Sequence, residues 1–424
     1  MTSLLARAEI AGLSVRDLAR TYGTPTYIYD SKTMGTQMES LRPFDVVRYA
    51  QKANSSLAVV DFMRRKGALV DAVSAGEIRR AIAAGYQSGG DPPAIVYTAD
   101  IFDSEALELV LANHIHVNCG SPDMIDQYGD RVSEGCITLR INPGFGHGHS
   151  QKTNTGGEQS KHGIWFQDLG DTLERAARKN LRVTGIHVHI GSGTDYQHLA
   201  EVCGAVESFA LQAGPQVISI SAGGGLPVAY KQGDSEINIE EYYNLWNATR
   251  NRLTEAFAHP VSLEIEPGRY LVAEAGYLIA EIRAIKRMGS NLYYLIDAGF
   301  NNLARPILYG AYHPMSVASF DGRSLTEVAS VVVGGPLCES GDIFTQEEGG
   351  FVRSELLPTA SVGDYVVIEC AGAYGFVMGS NYNSRGYAAE VLIQDGRSHL
   401  IRMRQATEDL FKEEKIPETN EETL

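Results

Sequence analysis

Short apolar runs rich in β-branched residues recur along the first two thirds of the chain: "VVRYA", "LVDAV", "AIVYT", "IHVNC", "ITLRIN", "GIHVHI", "VISISA" and "SLEIE". Each reads as a strand. Between most of them lie amphipathic stretches such as "SAGEIRRAIAAG", in which Ser74 and Glu77 form a capping-box pattern and Gly85 follows the last turn. Eight strands alternating with helices over roughly 240 residues have the size and rhythm of a (β/α)8 barrel. The pattern predicts that barrel over residues 26–276, with an open doubly wound sheet as the structural alternative.

After residue 276 the rhythm changes. "YLIAEIRAIKR", "LYYLIDAG", "VASVVVGG", "DYVVIECAG" and "EVLIQDG" are strand-like and separated by Gly, Asp and Pro turns, which predicts a second, mainly β domain over 277–412. The first 25 residues contain one helix, "SVRDLARTYG", capped by Ser14 and stopped near Gly23, and then "TPTYIYD". This N-terminal segment joins a domain edge. The acidic tail 413–424 is expected to be disordered. The chain shows no internal repeat and no low-complexity linker.

Composition narrows the chemistry. The 424 residues, 44% hydrophobic and 21% charged, supply a large core and more than one domain. Charges interrupt the apolar residues of "MTSLLARAEIAGLSVRDLAR", and no later apolar run is long enough to span a bilayer, so a cytoplasmic protein is expected. The five cysteines Cys119, Cys136, Cys203, Cys338 and Cys370 are odd in number and irregularly spaced, without a CxxC pair, which disfavours a disulfide framework. A net charge of −16 argues against nucleic-acid binding. A small-molecule substrate is the expectation.

In a barrel of this kind the catalytic face lies where the strands end. Lys52 follows strand one, Asp71 lies in strand two, Arg140 in strand five, His189 at the end of strand six, "AGGGLP" after strand seven, and Glu266 at the end of strand eight. Each alone is weak, since a lysine after a strand is usually a solvated charge. His187 and His189, two apart on one strand face, lack an evident third ligand, so no metal site is expected. Gly223, Gly224 and Gly225 allow close backbone approach, and their amides, with those around Gly268, can cradle a phosphate; a flexible turn is the plainer reading. A buried lysine, a histidine to stack, an acid and phosphate-binding turns together suggest pyridoxal 5'-phosphate (PLP).

The motifs "YAQKANSS", "VDAVSAGE", "LRINPGFGHGHS", "HVHIGSG", "SAGGGLP", "EIEPGRY", "RPILYGAYH", "GPLCESGD" and "GAYGFVMGSNYNSR" resemble, in order and over nearly the whole chain, the PLP-dependent amino-acid decarboxylases of the alanine-racemase-like barrel fold. Among these the chain is most similar to the bacterial diaminopimelate decarboxylases. One departure is "GYAAEV" after "NSR", where many relatives carry a proline.

The resemblance implies roles. Lys52 would carry PLP covalently on its amine and yield it to the substrate amine, and His189 would stack on the pyridine ring. Ser192, Gly223, Gly224, Gly225, Gly268 and Arg269 would hold the phosphate, with Pro267 in the same turn and Tyr374 completing the cup. Glu266 would pair with the pyridine nitrogen, which favours decarboxylation over racemisation. Asp71 and Arg140 would support the ring, although a structural salt bridge is as plausible for Arg140. Arg269, Arg305 and Tyr309 would bind the carboxylate at the retained L-centre of meso-2,6-diaminopimelate, Glu339 would take the amine there, and L-lysine would be the product. Cys338 would protonate the substrate carbon. Cys338 and Glu339 would come from the neighbouring subunit, making a homodimer with shared sites. The histidine-rich loop 144–165 is suited to a flap over the site. The rival readings are a decarboxylase of the same fold for a basic or polyamine-related substrate, and a noncatalytic PLP carrier.

Overall fold

The computed structural model describes residues 6–145, 156–189, 196–231, 233–234, 236–347 and 349–417. The chain builds two compact units. One comprises Asp30–Gly276 with Cys370–Val377, and the other comprises Met1–Tyr29, Tyr277–Glu369 and Met378–Leu424.

The first unit is a barrel. Its strands are β1 (Val46–Ala50), β2 (Leu69–Ala72), β3 (Ile95–Ala99), β4 (His116–Cys119), β5 (Gly135–Asn142), β6 (Leu181–His187), β7 (Ser219–Ser221) and β8 (Ser262–Ile265). Each pairs in parallel with the next, and β8 pairs with β1, which closes the sheet and excludes an open doubly wound arrangement. All eight strands coincide with the apolar runs of the sequence. Val70, Val117, Leu139, Ile186, Ile220 and Leu263 are fully buried in them, each worth about 1.5–3 kcal/mol of transfer free energy.

The intervening helices begin where side chains can take up their unpaired amides. Ser74 Oγ accepts from Glu77 N (3.2 Å), while Glu77 Oε2 accepts from Val73 N (2.9 Å), one residue earlier than a regular capping box. Asp103 and Asn238 cap the helices Ser104–Ala112 and Ile239–Phe257 in the same way. Inside the barrel Arg48 Nε meets Glu264 Oε2 at 2.7 Å, a nearly dry ion pair between β1 and β8.

The second unit is a nine-stranded sheet. Seven strands run in the spatial order Glu355–Pro358, Val328–Gly334, Asn291–Ile296, Gly276–Met288, Thr26–Asp30, Ala389–Gln394 and Arg397–Arg402; Met315–Ala318 and Tyr365–Ile368 form a pair branching from Gly276–Met288. The N-terminal helix Val15–Tyr22 is capped by Ser14 and closed by Gly23 at φ +72°, as its sequence suggests. Its Val15, Leu18 and Ala19 pack with Ile28, Ile279, Val367, Val391 and Ile393.

Two segments lie elsewhere than the periodicity places them. "TPTYIYD" supplies an inner strand of the sheet unit rather than the start of the barrel. Residues 370–377, in the stretch read as β domain, belong to the barrel unit. The tail expectation for 413–424 falls, from residue 418 onward, outside the described residues.

Candidate active site

The turns after β1 and β8 are tied together. Lys52 sits on the single helical turn Gln51–Ala53 directly after β1. Ala50 N donates to Pro267 O at 3.1 Å, and a Cβ on Gly268 would stand 3.0 Å from Ala50 O, so a larger residue would push the two turns apart. Contrary to the expectation of a buried lysine, Lys52 is exposed. It lies two residues past the strand end, between the buried Gln51 and Ala53, and its charge bears on Asp71, Glu77 and His189.

Glu266, one residue beyond β8, is the best-held acid of the site. His187 Nε2 donates to its Oε2 at 2.8 Å and Ser221 Oγ donates to its Oε1 at 3.1 Å. Burial by itself would raise the Glu266 pKa, but the charge and hydrogen bond of His187, the Arg48 charge and the Ser221 bond outweigh it and bring it down to about 2. Glu266 is therefore ionised at neutral pH. Neither His187 nor Ser221 was assigned to the site from sequence. The "HVH" spacing flagged His187 only as half of a metal pair, and its acidic partner lies 79 positions away.

His189 lies two residues past the end of β6. Gly224 N donates to its Nδ1 at 2.9 Å, so the neutral ring carries its proton on Nε2. Burial, followed by the charges of Lys52, Arg140, His187 and His162, keeps its pKa well below the ordinary histidine value.

The glycine loop differs from the simple phosphate cup. Gly223 N donates to Ser221 Oγ (3.1 Å) and Gly224 N to His189, so these two amides serve the protein itself. Their lack of a side chain is nonetheless required. Gly223 has φ +62° with a virtual Cβ 2.1 Å from Val188 O, and a Cβ on Gly224 would fall 2.6 Å from Glu266 O. Gly225 takes φ +93°, in the left-handed region that favours glycine. Ser192 lies outside the described residues.

Asp71 and Arg140 are both buried. Burial first, and the Glu266 charge second, raise the Asp71 pKa to about 6 against the pull of Lys52. Its Oδ1 is buried without a partner among the described residues. Burial lowers the Arg140 pKa, opposed by Asp100, Glu266 and Asp71, so this arginine stands within a group of acids. Asp100 also binds the base of the histidine-rich loop, through His162 Nδ1 (2.6 Å) and Gly163 N (2.9 Å). Asn142 holds Gly144 N and Gly157 N on its Oδ1. Residues 146–155 of the expected flap lie outside the described residues.

Segment 370–377 brings Tyr374 to the barrel. Tyr374 N donates to Ala53 O at 2.8 Å, next to Lys52, and Asn54 Nδ2 donates to Gly372 O. Arg269, opening the short helix Arg269–Val272, lies 5.1 Å from the Tyr374 ring centroid, and its Nη1 donates to Tyr230 OH at 3.0 Å. Lys52, Asp71, Arg140, His189, Gly223–Gly225, Glu266–Arg269 and Tyr374 thus share one unit.

The remaining candidates belong to the sheet unit. Arg305 is buried and Tyr309 half-buried at opposite ends of the helix Arg305–Tyr309. Cys338 and Glu339 are exposed in a turn organised by Asp342, which accepts from Leu337 N and Phe300 N at 2.8 Å each. Asn383 Oδ1 accepts from Cys338 N at 2.7 Å. A Cβ on Gly341 would stand 3.0 Å from Ile307 Cδ1, so this turn packs on the Arg305 helix.

The barrel unit offers what a phosphorylated pyridine aldehyde needs: an amine on a turn, an acid held ionised, a buried carboxylate oxygen without a partner among the described residues, and a glycine turn where an added side chain would clash. Those residues fit PLP. Among the described residues no group of three His, Cys, Asp or Glu side chains could hold a metal ion, and no helix is long and apolar enough to cross a membrane.

Residues 32–273 match the family model of the pyridoxal-binding domain of pyridoxal-dependent decarboxylases. The chain is 53% identical to the diaminopimelate decarboxylase of Escherichia coli K12 over 393 residues, covering 92% of this chain and 93% of the relative. It is 51% identical to the Streptomyces coelicolor enzyme of the same name over 400 residues, 94% of this chain and 91% of the relative. A crystal structure of a diaminopimelate decarboxylase superposes with a TM-score of 0.91 at 51% identity, covering 94% of this chain and 95% of the other. By fold and by likeness over nearly its whole length, the chain belongs to the diaminopimelate decarboxylase family of pyridoxal-dependent decarboxylases.

Proposed function

We propose that this protein uses PLP to convert meso-2,6-diaminopimelate into L-lysine and carbon dioxide, the closing step of lysine biosynthesis, in the cytoplasm and as a homodimer. The observation that carries this reading is the 53% identity extending over 92% of the chain, because it spans the sheet unit with its substrate-reading candidates as well as the barrel. Asp30–Gly276 with Cys370–Val377 serve as the PLP-binding barrel, and the sheet unit serves as the β domain.

PLP, when bound, supplies the electron sink for the pair left as carbon dioxide departs. Lys52 would hold the cofactor through its amine. Glu266, kept ionised by His187 and Ser221, holds a proton on the pyridine nitrogen. His189, its Nδ1 fixed by Gly224 N, would stack on the cofactor, and Asp71 and Arg140 would support it. Gly225, Gly268, Arg269, Tyr374 and Ser192 would hold the phosphate.

At the far end of the substrate Arg305 and Tyr309, with Arg269, take the carboxylate of the L-centre, and Glu339 of the partner subunit takes its amine. This leaves the D-centre to react. The bond from its carbon to the carboxylate breaks, and the thiol of Cys338 of the partner subunit delivers the proton that replaces it; solvent then returns a proton to the thiolate. The test is a substrate panel on purified, PLP-loaded protein. Carbon dioxide and L-lysine should form from meso-diaminopimelate and be lost in Lys52→Ala. Turnover of ornithine or lysine with diaminopimelate inert would replace the substrate assignment, and PLP binding without any turnover would mark a carrier.

A further inference from the structure

In loop 381–386 of the sheet unit two consecutive residues other than glycine, Asn383 at φ +56° and Ser384 at φ +53°, stand in the left-handed region. A Cβ makes that region unfavourable, and asparagine is among the few residues that tolerate it. The loop is fixed at both ends. Ser380 N donates to Asn301 O at 2.9 Å, and the Tyr382 ring lies 5.2 Å from that of Phe300. Asn381 Nδ2 donates to Arg385 O (2.9 Å) and to Gln405 Oε1 (3.0 Å), and Tyr387 N donates to the same Gln405 oxygen (3.2 Å). A strained backbone persists where its surroundings over-determine it, and such places cluster at functional sites.

Asn383 meets the turn that carries Cys338 and Glu339. Most of that turn is held from within: Gly335 N donates to Asp342 O (2.8 Å), Leu337 N to Asp342 Oδ2 (2.8 Å) and Asp342 N to Glu339 O (3.1 Å). The Cys338 amide is instead taken by Asn383 Oδ1 at 2.7 Å, from 45 positions along the chain. A backbone amide only donates, so the carboxamide must present its oxygen there. Asp342 Oδ1 also accepts from Phe300 N at 2.8 Å, so turn and loop both rest on residues 300 and 301. The main chain is thus fixed from outside the turn at the residue that bears the thiol.

We propose that Asn383 is a positioning residue for proton delivery: from its left-handed loop it holds the main chain of Cys338 and so sets where the thiol stands. The inference rests on the reading of Cys338 as the proton donor.

The test is steady-state kinetics on the full-chain, PLP-loaded enzyme with meso-diaminopimelate. Asn383→Gly permits the same φ but deletes the acceptor. Its kcat should fall roughly tenfold while KM changes less than about twofold, because Glu339 O keeps its bond from Asp342 N. Asn383→Asp retains an acceptor and tolerates the left-handed region, and should restore kcat to within about threefold of wild type. In a Cys338→Ala background, Asn383→Gly should cost less than about twofold further, since no thiol is left to place. Hydrogen exchange gives a readout apart from turnover: the Cys338 amide should exchange about tenfold faster in Asn383→Gly and near the wild-type rate in Asn383→Asp. Unchanged kcat in Asn383→Gly, a KM that rises as kcat falls, no restoration by Asn383→Asp, or full additivity with Cys338→Ala overturns the proposal. If the Gly variant does not fold, the wild type decides: a Cys338 amide slowed at least about tenfold relative to an unstructured peptide supports the proposal, and an unprotected one overturns it. Cys338→Ala alone separates the two layers. Wild-type kcat there removes the reading of Cys338, whereas a slowed Cys338→Ala beside an unaffected Asn383→Gly removes only the present inference.

Discussion

His187 Nε2 and Glu266 Oε2 meet at 2.8 Å inside the barrel, where both side chains are almost completely shielded from water. A buried carboxylate that loses its donor keeps the cost of desolvation with less to offset it. His187→Phe should therefore raise the Glu266 pKa and destabilise the cofactor-free protein by about 3 kcal/mol at pH 7, while His187→Gln, which retains a donor, costs less. The pH dependence has a definite sign. The folded pKa of about 2 is depressed, so wild-type stability from this group is complete above the unfolded value of about 4.3 and is lost as pH falls toward 2. Chemical denaturation of the cofactor-free protein between pH 7 and pH 3 measures both; a Phe variant with unchanged acid sensitivity contradicts the assignment.

Asp71 bears the opposite shift, up to about 6, because burial and the Glu266 charge oppose its ionisation. The resulting penalty is absent below about pH 3.9, grows as pH rises, and is complete above about pH 6. Asp71→Asn should consequently stabilise the cofactor-free protein by roughly 1–3 kcal/mol at pH 8 and by little at pH 4, while turnover falls. A stability gain as large at pH 4 as at pH 8 would tie the effect to packing rather than charge.

Gly372 lies tight against the chain around Val272: an added Cβ would stand 1.8 Å from Val272 O. Gly372→Ala should displace this segment and, with it, Tyr374, whose amide is held by Ala53 O. Overpacking of this kind costs about 1–3 kcal/mol. The expected result is weaker PLP binding, read by fluorescence titration, and a lower melting temperature; wild-type values for both would show that the backbone yields at no cost.

The shared-site proposal makes a stoichiometric statement. Random exchange between Lys52→Ala and Cys338→Ala dimers yields about half mixed dimers, each with one of two sites free of both lesions. Roughly one quarter of wild-type turnover should return. If native mass spectrometry shows complete exchange and turnover stays at the level of the separate variants, the sites are not shared.

The sequence alone determined the barrel strands, because strands bounded by turn residues form a local pattern that closure into a barrel does not disturb. It likewise determined the Ser14 and Ser74 caps, where side chain and amide lie three positions apart. Motif order was enough to mark Lys52, His189, the glycine trio and Glu266 as candidates. Tertiary structure decided what each group is bonded to. The pairs His187–Glu266 and Arg48–Glu264 are 79 and 216 positions apart, and no periodicity links them. Gly223 and Gly224 read as phosphate donors until folding commits their amides to Ser221 and His189. Residues 26–29 and 370–377 look locally like the elements beside them, yet each belongs with the other unit, because hydrogen-bonding partners far along the chain outweigh sequence neighbours. Local pattern thus selects secondary structure and the type of reactive group, whereas charge state, tautomer and orientation depend on contacts that exist only once the chain has closed on itself.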